Sequence, residues 1–185
     1  MGPALAFANK IITDMNGLKP SAWIIWQSIA SYMSSVPVNG VVDGTRFPDF
    51  TRGFWGTAVA DFDKEQIYLS KKYYVFGQFT KFITPKSYVI YTGNNNFLAS
   101  YSPENKSVSV VCVNLEEKDK NCEFDLSSFV NGWEKVTAYR TSGMSLNEGE
   151  NLAEVKIPVT EVSKGKFSSI LIPNSVTTFV LSDVR

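Results

Sequence analysis

The chain has 185 residues, 44% of them hydrophobic and 14% aromatic, which allows one domain or one small domain plus part of another. Its formal net charge of zero argues against a basic nucleic-acid surface, and no apolar run reaches the roughly 18 residues of a membrane span. Histidine is absent, which excludes Ser-His-Asp and Cys-His catalysis and any His-bearing metal site, and two cysteines are too few for a sulfur-ligated zinc.

An amphipathic helix is predicted over residues 3–16. Pro3 suits the first turn of a helix, and Gly17 is a typical stop. Apolar side chains recur at spacings of three and four residues: Leu5, Ala8, Ile12 and Met15.

The next stretch, "SAWIIWQSIA" at residues 21–30, is a continuous apolar run between turn signals. Such a run predicts a strand that is buried on both faces, which is typical of parallel α/β sheets. The segment from Ser28 to Asp63 follows without a periodic pattern. Long loops of this kind are uncommon and often functional.

A second helix is predicted after Ser70, which is suited to capping its first turn, and Pro85 is predicted to end it. We expect its apolar face to combine the following residues: Tyr73, Phe76, Phe79, Thr80, Phe82 and Ile83. Helix, strand, loop and helix are typical of an α/β barrel or a doubly wound sheet. Because a lone parallel strand cannot pair its backbone, residues 1–84 are predicted to be a segment of a larger α/β domain.

Residues 85–185 contain short alternating segments separated by polar turns such as "SPENK", "EEKDK" and "VSKGK". This spacing predicts an antiparallel β-sandwich. The strand candidates are "SYVIY", "FLASYS", "SVSVVCVNL", "CEFDL", "EKVTAYRT", "LAEVKIPV", "FSSILIP" and "VTTFVLS".

Three stretches carry a resemblance to a known family: "AWIIWQ", "SKKYYVFGQFTKFITP" and "ILIPNSVTTFVL". In this order and spacing they resemble the C-terminal part of glycoside hydrolase family 30. That family joins a (β/α)8 barrel to a β-sandwich side domain. The resemblance implies that residues 3–16 are the seventh barrel helix, "AWIIWQ" the eighth strand and "KKYYVFGQFTKFI" the eighth helix.

The resemblance implies retaining hydrolysis of a β-linked glycan by two glutamates about 5 Å apart. Neither family glutamate maps onto a residue of this chain, so the chain alone is expected to be inactive. The family's N-terminal strand, which completes the sandwich, is also missing. The implied partners are an oligosaccharide or polysaccharide and the missing N-terminal barrel portion, and the implied location is extracellular. No cofactor, metal, nucleic acid or membrane span is predicted.

The candidate substrate-binding residues are Trp26, Gln27, Arg46 and Trp55. Trp26 lies at the end of the predicted strand, where barrel enzymes bind substrate, and in the resembling family an aromatic residue there forms the floor of a sugar subsite. Trp23, three residues earlier, points to the opposite face of a strand and is predicted to be core.

Each of the other three candidates keeps an ordinary alternative. Gln27 suits a sugar hydroxyl but equally the solvated end of a strand. Arg46 suits a carboxylate-bearing sugar, although a surface ion pair with Asp43 or Asp49 is the simpler interpretation. Trp55 is either an outer sugar platform or part of loop packing. Carboxylates of the same segment are interpreted as solvated loop residues, not as a catalytic pair.

Cys112 and Cys122 lie on successive strand candidates. A hairpin centred on Glu117 would place them opposite each other, which leaves both a disulfide and two free thiols open.

Two alternatives to the glycosidase segment are kept. The sandwich could be a non-catalytic carbohydrate-binding or structural module. The chain could also be a half-protein whose barrel is completed by a separate chain.

Overall fold

The computed structural model describes residues 1–34, 55–129, 133–163 and 165–184. The described helices are α1 (Gly2–Leu18) and α2 (Lys71–Thr80), and neither is both long and apolar enough to cross a bilayer. The strands are β1 (Ile29–Met33), β2 (Ala58–Asp61), β3 (Gln66–Leu69), β4 (Tyr88–Ile90), β5 (Phe97–Ser102), β6 (Ser107–Asn114), β7 (Lys120–Asp125), β8 (Lys135–Thr141), β9 (Ala153–Val155), β10 (Thr160–Ser163), β11 (Lys166–Leu171) and β12 (Ser175–Ser182).

Two antiparallel sheets form a β-sandwich, as the second half of the sequence predicts. The larger sheet has the order β4-β5-β6-β12-β8-β9, and the smaller one has the order β10-β11-β7. Between them lies a core of inward-facing apolar side chains that both sheets contribute. Four phenylalanines join the sheets: Phe97 stacks on Phe124 with ring centroids 5.9 Å apart, and Phe167 lies 5.8 Å from Phe179. Burying each such ring contributes roughly 1.5–3 kcal/mol.

Both helices pack on the outer face of the six-stranded sheet. Alternation along each strand gives this sheet a second apolar face, which contacts the apolar stripes of α1 and α2. The buried side chains of this second core include Leu5, Ile12, Val75, Phe79, Leu98, Val111 and Val176.

Helix α2 also buries two polar side chains, Lys71 and Gln78. The Gln78 amide donates to Thr141 Oγ1 at 3.1 Å and accepts from Thr178 Oγ1 at 2.7 Å. Gly77 allows α2 to lie close to Leu152, because a Cβ at position 77 would be only 2.8 Å from Leu152 Cδ2. The predicted apolar face of α2 is confirmed in part: Phe79 is buried and Phe76 and Ile83 pack against the same core, whereas Tyr73 is 47% exposed. The other buried residues of α2 are Lys71, Val75 and Gln78.

A third sheet has the order β1-β2-β3. β1 runs parallel to β2, with Ile29 opposite Ala58, and β2 and β3 form an antiparallel hairpin. The segment after Ser28 therefore contains regular structure. Strand β2 lies near its end, and β3 lies just beyond it. Their alternation, "AVAD" and "QIYL", is too short to stand out in a sequence.

The predicted strand over residues 21–30 is wrong in its position. Residues 22–27 form no strand, and the strand begins at Ile29. The physical reason is backbone hydrogen bonding, since the N–H and C=O groups of a strand need a neighbouring strand as partner. Among the described residues β1 finds that neighbour in β2, whereas no described strand lies beside residues 22–27.

The predicted hairpin between the cysteine-bearing strands is also wrong. β6 belongs to the six-stranded sheet and β7 to the three-stranded sheet, so the chain crosses between sheets at residues 115–119. Cys112 and Cys122 both face the sandwich core, and both thiols are free. Strand β10 was not predicted, since "VSKGK" was interpreted as a turn.

Candidate functional site

Two exposed tryptophans precede the paired parallel strands. Trp26 lies three residues before β1 and is 86% exposed, and Trp55 lies three residues before β2 and is 82% exposed. The carbonyl of Ser28 accepts hydrogen bonds from the backbone N–H groups of Thr57 at 2.8 Å and Ala58 at 3.0 Å. This contact holds the two tryptophan-bearing segments side by side.

The segment that carries Trp26 is anchored on α1 through Trp23. The Trp23 indole Nε1 donates to Asp14 Oδ2 at 2.9 Å, and its ring packs edge-on against Phe7 at 5.6 Å and tilted against Phe76 at 6.1 Å. Trp23 is thus packed against the helical core, as predicted from its spacing. Hydrogen bonds from Lys10 and then Trp23 lower the pKa of the Asp14 carboxyl, so Asp14 is the charged end of this anchor.

The segment that carries Trp55 is fixed from its other side. Gly56 has a φ of 74°, a left-handed conformation that glycine adopts at little cost and that turns the chain after Trp55. The carbonyl of Thr57 then accepts from Ser70 Oγ at 2.7 Å and from Ser70 N at 3.0 Å. Ser70 begins α2 as predicted, but its hydroxyl bonds to Thr57 instead of capping the helix.

Two further apolar side chains of the Trp26 segment and of the third sheet are exposed. Ile24 is 84% exposed, and Ile67 on β3 is 59% exposed. Gln27 is exposed beside Trp26, with the Trp26–Gln27 peptide bond cis, and supplies one amide donor and acceptor. The arrangement offers flat aromatic faces with a single neighbouring amide, which suits the apolar C–H faces of a sugar.

The acidic residues near the site are engaged in local structure. Asp61 is buried, accepts from the backbone N–H of Lys64 at 3.2 Å and pairs with the Lys64 ammonium at 3.2 Å, which closes the β2–β3 turn. Among the described residues, no group of three or more acidic or cysteine side chains could hold a metal ion. Arg46 and its alternative partners Asp43 and Asp49 lie outside the described residues.

A second concave feature lies in the sandwich. A cavity of about 290 Å³ opens between β4 and β7, which are the edge strands of the two sheets. Its apolar floor includes Phe97, Ala99, Val108, Val110 and Phe124.

The polar rim of this cavity is largely used within the fold. The Asp125 carboxylate accepts from Lys166 at 2.8 Å and from Ser127 Oγ at 2.6 Å, and Asn94 Oδ1 accepts from Asn96 N at 2.9 Å. We name this feature the edge groove.

Sequence reasoning missed the anchor between Asp14 and Trp23, although an acidic residue near the end of a helix and a following tryptophan were visible. It also missed the edge groove, because only the sheet order reveals which strands are edges.

Solved structures similar to this chain include two family 30 xylanases. A family 30 subfamily 8 xylanase from Clostridium acetobutylicum matches 98% of the chain at 23% identity and a TM-score of 0.67, and the catalytic domain of a family 30 xylanase C from Talaromyces cellulolyticus matches 97% at 18% identity and 0.65. The chain has the fold of the C-terminal part of family 30. It spans 39% and 35% of these two xylanase chains, and this fold agrees with the resemblance that "AWIIWQ" and the two later stretches carry.

A conserved exported protein from Bacteroides fragilis also matches, over 96% of this chain and 33% of its own, at 18% identity and a TM-score of 0.56. No protein-family profile and no curated protein sequence matches the chain. The family 30 likeness therefore rests on shape, and it describes two helices and a mainly antiparallel β structure.

Proposed function

We propose that this chain is the C-terminal portion of a retaining glycoside hydrolase that acts on a β-linked glycan. In this proposal residues 1–84 complete a (β/α)8 barrel and residues 85–185 form its side domain. Trp26, Gln27, Arg46 and Trp55 contact the glycan. Both catalytic glutamates belong to the barrel portion that precedes this chain, so the chain alone does not hydrolyse its substrate.

One observation carries the proposal: two tryptophans on adjacent, hydrogen-bonded backbone segments are almost fully exposed in a chain with a family 30 fold. If no ligand or partner covered the two indoles, the chain would lose the free energy that aromatic side chains usually gain from burial. Backbone hydrogen bonds hold the segments that carry Trp26 and Trp55, and most of each indole surface is exposed and could contact a sugar.

The proposed partner within the same enzyme is the N-terminal barrel portion. The exposed apolar side chains Ile24 and Ile67 support this proposal, because further barrel strands would cover them. The edge groove supports it too. An extended apolar strand at the edges of β4 and β7 that no described strand occupies would gain backbone hydrogen bonds and fill the cavity above Phe97 and Phe124.

Affinity electrophoresis of the chain through gels with xylan, β-1,6-glucan or β-1,6-galactan tests the glycan contact. We expect one glycan to retard the chain, and we expect Trp26→Ala or Trp55→Ala to reduce that retardation several-fold, since one stacked aromatic ring is worth roughly 1 kcal/mol or more. Unchanged migration of both variants in a gel that retards the wild type would refute the assignment.

A matched control distinguishes the proposed barrel site from the alternative in which the sandwich is a carbohydrate-binding module. Tyr91 is also 82% exposed but lies on the sandwich beside the edge groove. Tyr91→Ala keeps full retardation if the tryptophans bind the glycan. Loss of retardation in Tyr91→Ala alone would favour a carbohydrate-binding sandwich over a barrel site.

A further inference from the structure

Two thiols lie in the sandwich core, one on each sheet. Cys112 on β6 is fully buried and Cys122 on β7 is 8% exposed, and both belong to the same apolar cluster between the sheets. Because β6 and β7 belong to different sheets, a bond between these sulfurs would join the sheets through the core.

The crossing between the sheets places the two cysteines at equal distances along their strands. Asn114, at the end of β6, donates through Nδ2 to Leu171 O at 3.0 Å, and Leu171 is the register partner of Lys120 at the start of β7. Cys112 lies two residues before Asn114, and Cys122 lies two residues after Lys120. Each cysteine is therefore two residues, one period of the side-chain alternation, away from the crossing. Both lie on the inward faces of β6 and β7, the two strands that the crossing connects.

The aromatic contacts give the same placement. Phe97 is the register partner of Cys112, and Phe124 is the next inward residue after Cys122. The rings of Phe97 and Phe124 stack with centroids 5.9 Å apart, so the neighbours of both cysteines are in contact.

The electrostatics of the thiols are consistent with proximity. Burial raises the pKa of Cys112 well above its usual value, and the neighbouring Cys122 raises it further. Burial also raises the pKa of Cys122, while Lys120 opposes that rise. The partly accessible Cys122 is therefore the better first nucleophile.

We propose that Cys112 and Cys122 are a dithiol that closes into an inter-sheet disulfide when an oxidant such as glutathione disulfide is present. The Cys122 thiolate attacks one sulfur of glutathione disulfide and releases one glutathione thiolate. The Cys112 thiolate then attacks Cys122 Sγ and releases the second. The protein sulfurs lose two electrons, glutathione disulfide gains them, and the two thiol protons pass to the released thiolates.

The consequence is a covalent bond between the two sheets, which are otherwise joined by packing and by chain crossings. Closing a loop of roughly ten residues restricts the unfolded chain, and for a domain of this size it raises the thermal midpoint by roughly 5–10 °C. The stability of the sandwich would then depend on the redox state of its surroundings.

Intact mass and thermal unfolding of the chain, reduced and after incubation with glutathione disulfide at mildly alkaline pH, test this. We expect the oxidised chain to lose two hydrogens, to resist alkylation after unfolding, and to melt several degrees higher until dithiothreitol is added. Two alkylatable thiols after oxidation, stable glutathione adducts on the wild type, or bridges only between chains would overturn the proposal.

Single-cysteine variants supply the controls. Cys112→Ala should retain one glutathione on Cys122, because the second thiol that displaces it is gone. Cys122→Ser should stay unmodified at the buried Cys112. The mass of the wild type decides the proposal even if a variant folds poorly. A persistent glutathione on Cys112 in Cys122→Ser would show that the assigned order of attack is wrong.

Discussion

At the scale of single residues, Trp23 packs against the helices whereas Trp26, three residues later, is 86% exposed. The spacing of three between Trp23 and Trp26 correctly separated a packed indole from an exposed one. It did so although the strand that motivated the argument begins at Ile29. The reason is that opposite orientation at this spacing needs only a roughly extended backbone.

Glu150 provides a prediction at this scale. Its carboxylate pairs with Arg140 and accepts from Ser142 Oγ, and the Arg140 guanidinium is the largest of the causes that lower the pKa of Glu150. A carboxyl whose pKa is lower in the folded chain stabilises the fold above its unfolded pKa, and that contribution is lost as the pH falls through the folded pKa.

We therefore expect the free energy of unfolding to fall less steeply in Glu150→Gln than in the wild type between about pH 6 and about pH 3. Urea titrations at several pH values measure this difference. Glu104→Gln, on the exposed turn before β6, is the control and should follow the wild type. Parallel curves for Glu150→Gln and the wild type would contradict the assigned role of the Arg140 pair.

At the scale of elements, the sandwich strands could be predicted because alternation and polar turns repeat along residues 85–185. Each of the eight strand candidates overlaps a strand of the structure. The sheet assignment could not be predicted, since a five-residue polar turn such as 115–119 suits both a hairpin and a crossing between sheets. The face of α2 was predicted only in part, because Lys71 and Gln78 are polar in type yet buried.

Lys71 ties the start of α2 to the turn between β8 and β9. Its ammonium donates to the carbonyls of Ser142, Glu148 and Glu150 and to Asn151 Oδ1, at 2.9 Å for Glu148 and 2.7 Å for Asn151. The three N–H donors of a single side chain are therefore shared among four oxygens of one turn.

We expect Lys71→Met to lower the free energy of unfolding by roughly 2–4 kcal/mol, because Met keeps the volume but leaves these oxygens without their donor. Thermal and urea unfolding measure the loss. Lys135→Met, an exposed lysine at the start of β8, is the matched control and should change stability by less than about 0.5 kcal/mol. Equal stability of the two variants would show that the turn does not depend on Lys71.

At the scale of the whole molecule, the family resemblance predicted the sandwich and the packed helices, and a shape match over 97–98% of the chain agrees with it. The barrel assignment of residues 1–84 stays a prediction. What the described residues contribute there is a set of exposed apolar side chains, Ile24, Trp26 and Ile67, in the segments that form or precede a three-stranded sheet. Where such side chains form one continuous surface, that surface usually marks contact with another polypeptide segment.

If a missing barrel portion normally covers that surface, the isolated chain should self-associate. Sedimentation velocity should show oligomers at tens of micromolar chain, and Ile24→Lys combined with Ile67→Lys should shift the distribution toward monomer. Leu18→Lys is the control, since Leu18 is 76% exposed but belongs to α1 and not to the three-stranded sheet or the segments before its strands. A wild-type chain that is monomeric throughout would argue against a covered surface.

The central claim is that this chain is the C-terminal portion of a longer glycoside hydrolase. The most direct test is the intact mass of the native polypeptide, captured from its source with an antibody against residues 85–185. The account predicts a polypeptide longer than this chain by roughly 250 residues, about the size of a barrel. A native polypeptide of only 185 residues would contradict it.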